Sequence, residues 1–131
     1  MDLHNLLEYA KEAQKKAYVP YSNFQVGAAL LTKSGKIYTG CNIENASYGA
    51  TNCAERTAFF KAVSEGERDF QAIAIVSSSG QETFPCGICR QVMAEFMLGG
   101  FVVLQTADGE IKEYQTKDLL PFAFTEEDLS K

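Results

Sequence analysis

Five consecutive apolar residues, Ala72-Ile73-Ala74-Ile75-Val76, narrow the folds open to this chain more than any other feature. Successive side chains of a strand point to opposite faces, so a strand with one wet face alternates apolar and polar residues. A short run without a polar member fits a strand covered on both faces. Phe101 to Gln105 supplies a second strand of this kind.

The covers are legible as helices. Leu3, Leu6, Leu7, Ala10, Ala13 and Ala17 recur at helical spacing, opposite His4, Glu8, Lys11 and Lys15, and Pro20 closes the helix. Cys53 to Val63 is rich in small and apolar residues, as a central buried helix would be. Ile88, Val92, Met93, Phe96 and Met97 form a further stripe that ends at Gly99-Gly100. Phe24 to Leu31 reads as a strand, Lys33-Ser34-Gly35-Lys36 as a turn, and Ile37 to Cys41 as the return strand of a hairpin. Asp108-Gly109 turns into an edge strand, Ile111 to Tyr114. This order predicts an α/β sandwich with a mixed sheet, in one domain spanning residues 1–131. Strand order does not follow from it.

Charge excludes one class of partner. Twelve Lys and Arg face 17 Asp and Glu, a net charge of −5, and Lys15-Lys16 is the one basic pair. A polynucleotide binder needs a basic stripe to neutralise phosphates, so a nucleic-acid-like substrate is expected to be a free nucleoside, not a polymer. No stretch approaches the roughly 20 apolar residues of a membrane span. Met1 to Asn5 has neither the basic nor the apolar part of a secretory signal, so the expected address is cytoplasmic.

Four cysteines in a reducing compartment read as metal or catalytic groups before disulfides. Cys53-Ala54-Glu55 and Pro85-Cys86-Gly87-Ile88-Cys89 each begin a helix after a loop. A helix N-terminus favours thiolate, the form that binds zinc. Three ligands, Cys53, Cys86 and Cys89, leave a fourth tetrahedral position open, as in a catalytic site. Glu55 stands beside that position and is suited to moving protons. Arg56 follows, and its fixed charge can hydrogen-bond the sulfurs and offset three thiolates. A redox Cys-x-x-Cys pair does not account for Cys53-Ala54-Glu55. If Cys41 or His4 closed the site, the protein would be a non-catalytic, zinc-stabilised binding domain. Taken alone, Phe24 reads as core, and Asn42 and Glu44 as polar loop residues.

Nearly the whole chain resembles the nucleoside cytidine deaminases. The resemblance runs through Tyr21-Ser22-Asn23-Phe24-Gln25-Val26-Gly27-Ala28-Ala29, Gly40-Cys41-Asn42-Ile43-Glu44-Asn45-Ala46-Ser47-Tyr48, Cys53-Ala54-Glu55-Arg56-Thr57-Ala58 and Pro85-Cys86-Gly87-Ile88-Cys89-Arg90-Gln91-Val92. It also matches the zinc-deaminase pattern of His or Cys, one residue, Glu, then Pro-Cys-x-x-Cys. Many members carry His at the first ligand position, where this chain has Cys53. That is similar to the small three-cysteine branch, whose members are homotetramers. The resemblance implies a three-layer α/β/α sandwich with a mixed five-stranded sheet and one zinc ion per chain. It implies hydrolysis of cytidine and 2'-deoxycytidine to uridine and 2'-deoxyuridine plus ammonia, by zinc-activated water at C4 with Glu55 carrying protons. Asn42 and Glu44 would then hold the ribose, Ala54 and Glu55 would read the pyrimidine edge, and Phe24 would line the base pocket. Ala46 and Tyr48 would reach a neighbouring subunit's nucleoside. Phe124, in the apolar tail Leu119 to Phe124, matches an aromatic that stacks on a base in an adjacent subunit. A related enzyme that deaminates the cytosine nucleoside blasticidin S shares the zinc segments. The Phe24 and Asn42–Tyr48 segments here are similar to the cytidine enzymes instead.

Overall fold

The structure, a computed structural model, describes residues 2–129. Five strands, β1 (Val26–Thr32), β2 (Ile37–Cys41), β3 (Phe70–Ser77), β4 (Phe101–Gln105) and β5 (Ile111–Gln115), form one sheet in the order β2-β1-β3-β4-β5. β3 and β4 run parallel and every other pair is antiparallel, so the sheet is mixed as expected. Parallel neighbours require a crossover, and helix α3 (Gly87–Met97) lies between them in the chain. The β1–β2 hairpin closes where Thr32 N–H donates to the Lys36 carbonyl at 2.9 Å, with Gly35 at φ 99°.

The two strands without a polar face explain the layers. Ala29, Leu31, Ala72, Ala74 and Val76 point to one side, where helix α1 (Leu3–Gln14) buries Leu6, Leu7 and Ala10. Ala28, Leu30, Ile73 and Ile75 point to the other, against Ala58 and Phe59 of helix α2 (Ala54–Ser64) and Met93 of α3. The result is the three-layer α/β/α sandwich. Two glycines let helices approach the sheet closely. A Cβ on Gly27 would stand 2.0 Å from the Ala10 carbonyl oxygen, and one on Gly40 would stand 2.4 Å from that of Ala54. The second contact seats the first turn of α2 on the hairpin, which places Cys53 and Glu55.

Several boundaries differ from the sequence reading. Helix α1 ends at Gln14, so Ala17 lies outside it and Pro20 is not its stop. Lys15, Lys16 and Ala17 bond to carbonyls three residues back, and Tyr18 N–H then donates to the Asn42 carbonyl at 3.0 Å, drawing the chain off the helix axis. Phe24 and Gln25 precede β1, because Asn23 sits at φ 58° and interrupts the extended run. Ile88 is 62% exposed and not part of the buried stripe; Cys89, Met93, Ala94 and Met97 are. Cys41 is half-buried at the end of β2. Two short helices, α4 (Thr116–Leu119) and α5 (Glu126–Leu129), flank the apolar tail. Among the described residues, no helix is long and apolar enough to cross a membrane.

Candidate active site

The N-termini of α2 and α3 converge on one point. Cys53 and Cys86 are their N-caps, both extended in backbone, and Cys89 lies in the first turn of α3. The three Sγ atoms lie within 4.8 Å of one another, and those of Cys53 and Cys86 are 3.9 Å apart. All four cysteines are free thiols. Tetrahedral zinc with bonds of about 2.3 Å separates its sulfurs by roughly 3.8 Å, so the cluster fits that ion. Among the described residues this is the one such group, and neither Cys41 nor His4 belongs to it. The donor set therefore has three members, which leaves a tetrahedral ion one open position.

Electrostatics at the cluster follow from crowding. Closely spaced thiols cannot all ionise without a cation. The Cys53 thiol is lowered to about 5, first by a hydrogen bond from Cys89 and then by Arg56, whose Nη2 lies 3.2 Å from Cys53 Sγ. Cys89 is correspondingly pushed far above the ordinary thiol range, by that same hydrogen bond and by burial. Arg56 is raised by its bond to Cys53. Its Nε is buried with no hydrogen-bond partner, a cost that negative charge on the neighbouring sulfurs offsets in part.

Glu55 is 5% exposed, and burial raises its carboxyl from 4.5 to about 7, with the charge of Cys53 adding to the effect. A carboxyl poised near neutrality can both accept and return a proton at physiological pH.

A cavity of about 230 Å³ opens over Glu55, Cys53 and Cys86, and Phe24, Asn42 and Ala54 also line it. Cys89 is buried behind them. The Asn42 side chain accepts from Val26 N–H at 2.9 Å and donates to the Phe24 carbonyl at 2.8 Å. It thus secures the residues that bring Phe24 to the cavity. Glu44 lies instead in an adjoining cavity of about 400 Å³ with Tyr21, Ser22, Asn45 and Tyr48, and Thr51 borders both. Its Oε1 accepts from the N–H groups of Tyr21 and Ser22 at 3.0 and 3.1 Å, and the Ser22 hydroxyl donates to Oε2. Those bonds, the hydroxyl foremost, hold its carboxyl below the usual range.

Tyr48 is 77% exposed and meets Tyr21 edge-on, with ring centroids 6.3 Å apart. Ala46 is exposed and lines neither cavity. Phe124, 56% exposed, also lines neither. Reasoning from sequence missed Val26, Thr51, Asn52, Thr83 and Phe84 as cavity walls. Phe84 had a signal, standing two residues before Cys86. Thr83 had none, since its placement depends on a hydroxyl contact with Ser77 in β3.

Comparison with known proteins agrees with this geometry. The model of the cytidine and deoxycytidylate deaminase zinc-binding region matches residues 1–105. A cytidine deaminase of Sporosarcina psychrophila is 56% identical over 131 residues, covering 99% of this chain and 96% of that protein. One from Halalkalibacterium halodurans is also 56% identical over 131 residues, covering 99% of each. The crystal structure of cytidine deaminase from Burkholderia pseudomallei superposes with a TM-score of 0.90 at 53% identity, covering 95% of this chain and 100% of the other. The matched region contains both cysteine segments and Glu55, and the likeness extends over the full chain in sequence and in fold; the chain belongs to the zinc-binding cytidine and deoxycytidylate deaminase family.

Proposed function

We propose that this chain hydrolyses cytidine and 2'-deoxycytidine to uridine and 2'-deoxyuridine with release of ammonia, in pyrimidine salvage in the cytoplasm. The observation that carries the reading is a three-sulfur cluster and a buried, near-neutral Glu55 sharing the wall of one cavity. Cys53, Cys86 and Cys89 would hold one zinc ion per chain, which when bound supplies the Lewis acidity that activates water at neutral pH. Glu55 takes one proton from the attacking water and gives it to N3 of the pyrimidine, then takes the second from the new C4 hydroxyl and gives it to the departing amine, so that C4 becomes the uridine carbonyl and ammonia leaves. The backbone of Ala54 and the carboxyl of Glu55 orient the base edge, and Phe24 covers the ring. Arg56 offsets the excess charge of three thiolates.

Ribose recognition falls to Asn42 and Glu44. Each is held by the backbone yet keeps capacity to spare: the Asn42 amide a second lone pair and a second hydrogen, the Glu44 carboxylate a further lone pair. Ala46, Tyr48 and Phe124 act on a neighbouring subunit's nucleoside in a homotetramer. Their exposure in the single chain supports this role, as does Phe122, which is fully exposed at φ 57°. The partner is a free nucleoside, with neither a nucleic acid polymer nor a membrane involved.

The test follows the ultraviolet change and ammonia release with cytidine, deoxycytidine, cytosine, deoxycytidine monophosphate and blasticidin S. Turnover of the first two is expected. Turnover of blasticidin S alone, or of the monophosphate alone, would reassign the substrate. A zinc-loaded protein that turns over none of them would be a binding domain.

A further inference from the structure

Arg90 follows the ligand Cys89 on α3 and is half-buried. Its Nε donates to the Pro85 carbonyl at 2.8 Å, and its Nη1 donates to the Leu119 carbonyl at 2.9 Å. Pro85 is buried and immediately precedes Cys86, whereas Leu119 ends α4 and begins the tail that bears Phe122 and Phe124. The next residue, Gln91, donates from Nε2 to the Phe124 carbonyl at 2.7 Å. Consecutive side chains of the helix that carries two ligands thus grip both ends of residues 119–124. One of them also grips the loop that presents Cys86.

Both carbonyls need partners. A buried Pro85 oxygen is costly unpaired, and carbonyls at a helix end lack intrahelical donors. A guanidinium sets its donors in a rigid plane and can serve two separate acceptors at once, whereas an ammonium concentrates three donors on one atom of a flexible stem.

We propose that Arg90 is a positioning residue that couples metal retention to placement of the 119–124 tail. The guanidinium that seats the Cys86 loop also seats the Leu119 end of the tail, so loosening the Pro85 or the Leu119 contact loosens the other, whereas the Phe124 end is held separately by Gln91. The metal end rests on the zinc of the family; the tail end holds whatever Phe124 contacts.

Arg90→Lys keeps the charge and removes the planar fork. In the zinc-loaded protein it should speed zinc loss to excess chelator by about ten- to a hundredfold, as loss of a residue that orients a ligand does. Amide hydrogen exchange at residues 120–124 should also quicken, and kcat for cytidine should fall, not KM alone rise. Gln91→Ala frees only the far end of the tail, so it should quicken tail exchange while zinc loss keeps its wild-type rate. An Arg90→Lys protein with wild-type zinc loss, or with fast zinc loss and unchanged tail exchange, overturns the coupling. If that variant does not fold, chelating zinc from the wild type gives the reciprocal measurement. Tail exchange must then rise relative to that of β4, and an unchanged tail refutes the proposal. Zinc stoichiometry of the same wild-type sample separates failure of the zinc reading from failure of the coupling.

Discussion

Glu55→Gln should make the metal-free protein more stable while disabling it. The wild-type carboxyl is 5% exposed and raised from 4.5 to about 7, chiefly by burial. A carboxyl whose value is raised by folding favours the fold most when it is protonated in both states. That contribution is fully present below pH 4.5 and is lost as pH climbs through 7, because the unfolded chain ionises first. At 1.36 kcal/mol per pH unit, the loss amounts to about 3 kcal/mol by pH 8. Glutamine has nearly the same shape and no charge to bury, so it escapes this loss. Urea unfolding of both zinc-free proteins from pH 4.5 to 8.5 reads the difference directly. The two should nearly coincide at the acid end, and the Gln variant should lead by up to about 3 kcal/mol at the alkaline end. A pH-independent gap, or a wild type that is the more stable at pH 8, refutes the reasoning. The same variant should bind zinc normally while turnover falls by roughly 100- to 10,000-fold, the range of a lost general acid–base group.

Alanine at Cys53, Cys86 or Cys89 should abolish zinc binding by metal analysis, whereas Cys41→Ala and His4→Ala should retain it; an empty Cys41→Ala site would refute the three-ligand centre. Arg56→Ala removes the guanidinium that lies 3.2 Å from Cys53 Sγ. It should weaken zinc retention by about ten- to a hundredfold, and full occupancy with an unchanged pH–rate profile would count against charge tuning. Phe124→Ala should raise KM for cytidine at constant zinc content, since stacking on a base is worth about 1–3 kcal/mol. Mixed with inactive Glu55→Gln subunits, it should regain wild-type affinity at sites that pair a donated Phe124 with an intact Glu55. Hybrids without recovery, or a fully active monomer in sedimentation, would refute sharing between subunits.

Much of this protein was legible where chemistry depends on near neighbours in the chain. The apolar run at Ala72–Val76 required cover on both faces, and α1 on one side with α2 and α3 on the other provide it. Cys-x-x-Cys at a helix start and Glu two residues after Cys53 are local spacings, so the nearness of Cys86 to Cys89, and of Glu55 to Cys53, needed no fold. Local reasoning failed where a distant contact overrode it. Helix α1 stops short of Ala17 because the Asn42 loop claims Tyr18, and Ile88 is turned to solvent although its stripe is apolar.

Only the tertiary structure decided the rest, because each feature needs groups far apart in sequence. The thiols of Cys53 and Cys86 stand 33 residues apart and meet at 3.9 Å because Gly40 lets α2 settle on the hairpin while α3 crosses the same face. Burial is a property of the packed molecule, so the shift of Glu55 to about 7 could not be read from its neighbours. Arg90 reads in sequence as one more helix cation. Its hold on Leu119, 29 residues away, exists only once β4, β5 and α4 have returned the chain to α3.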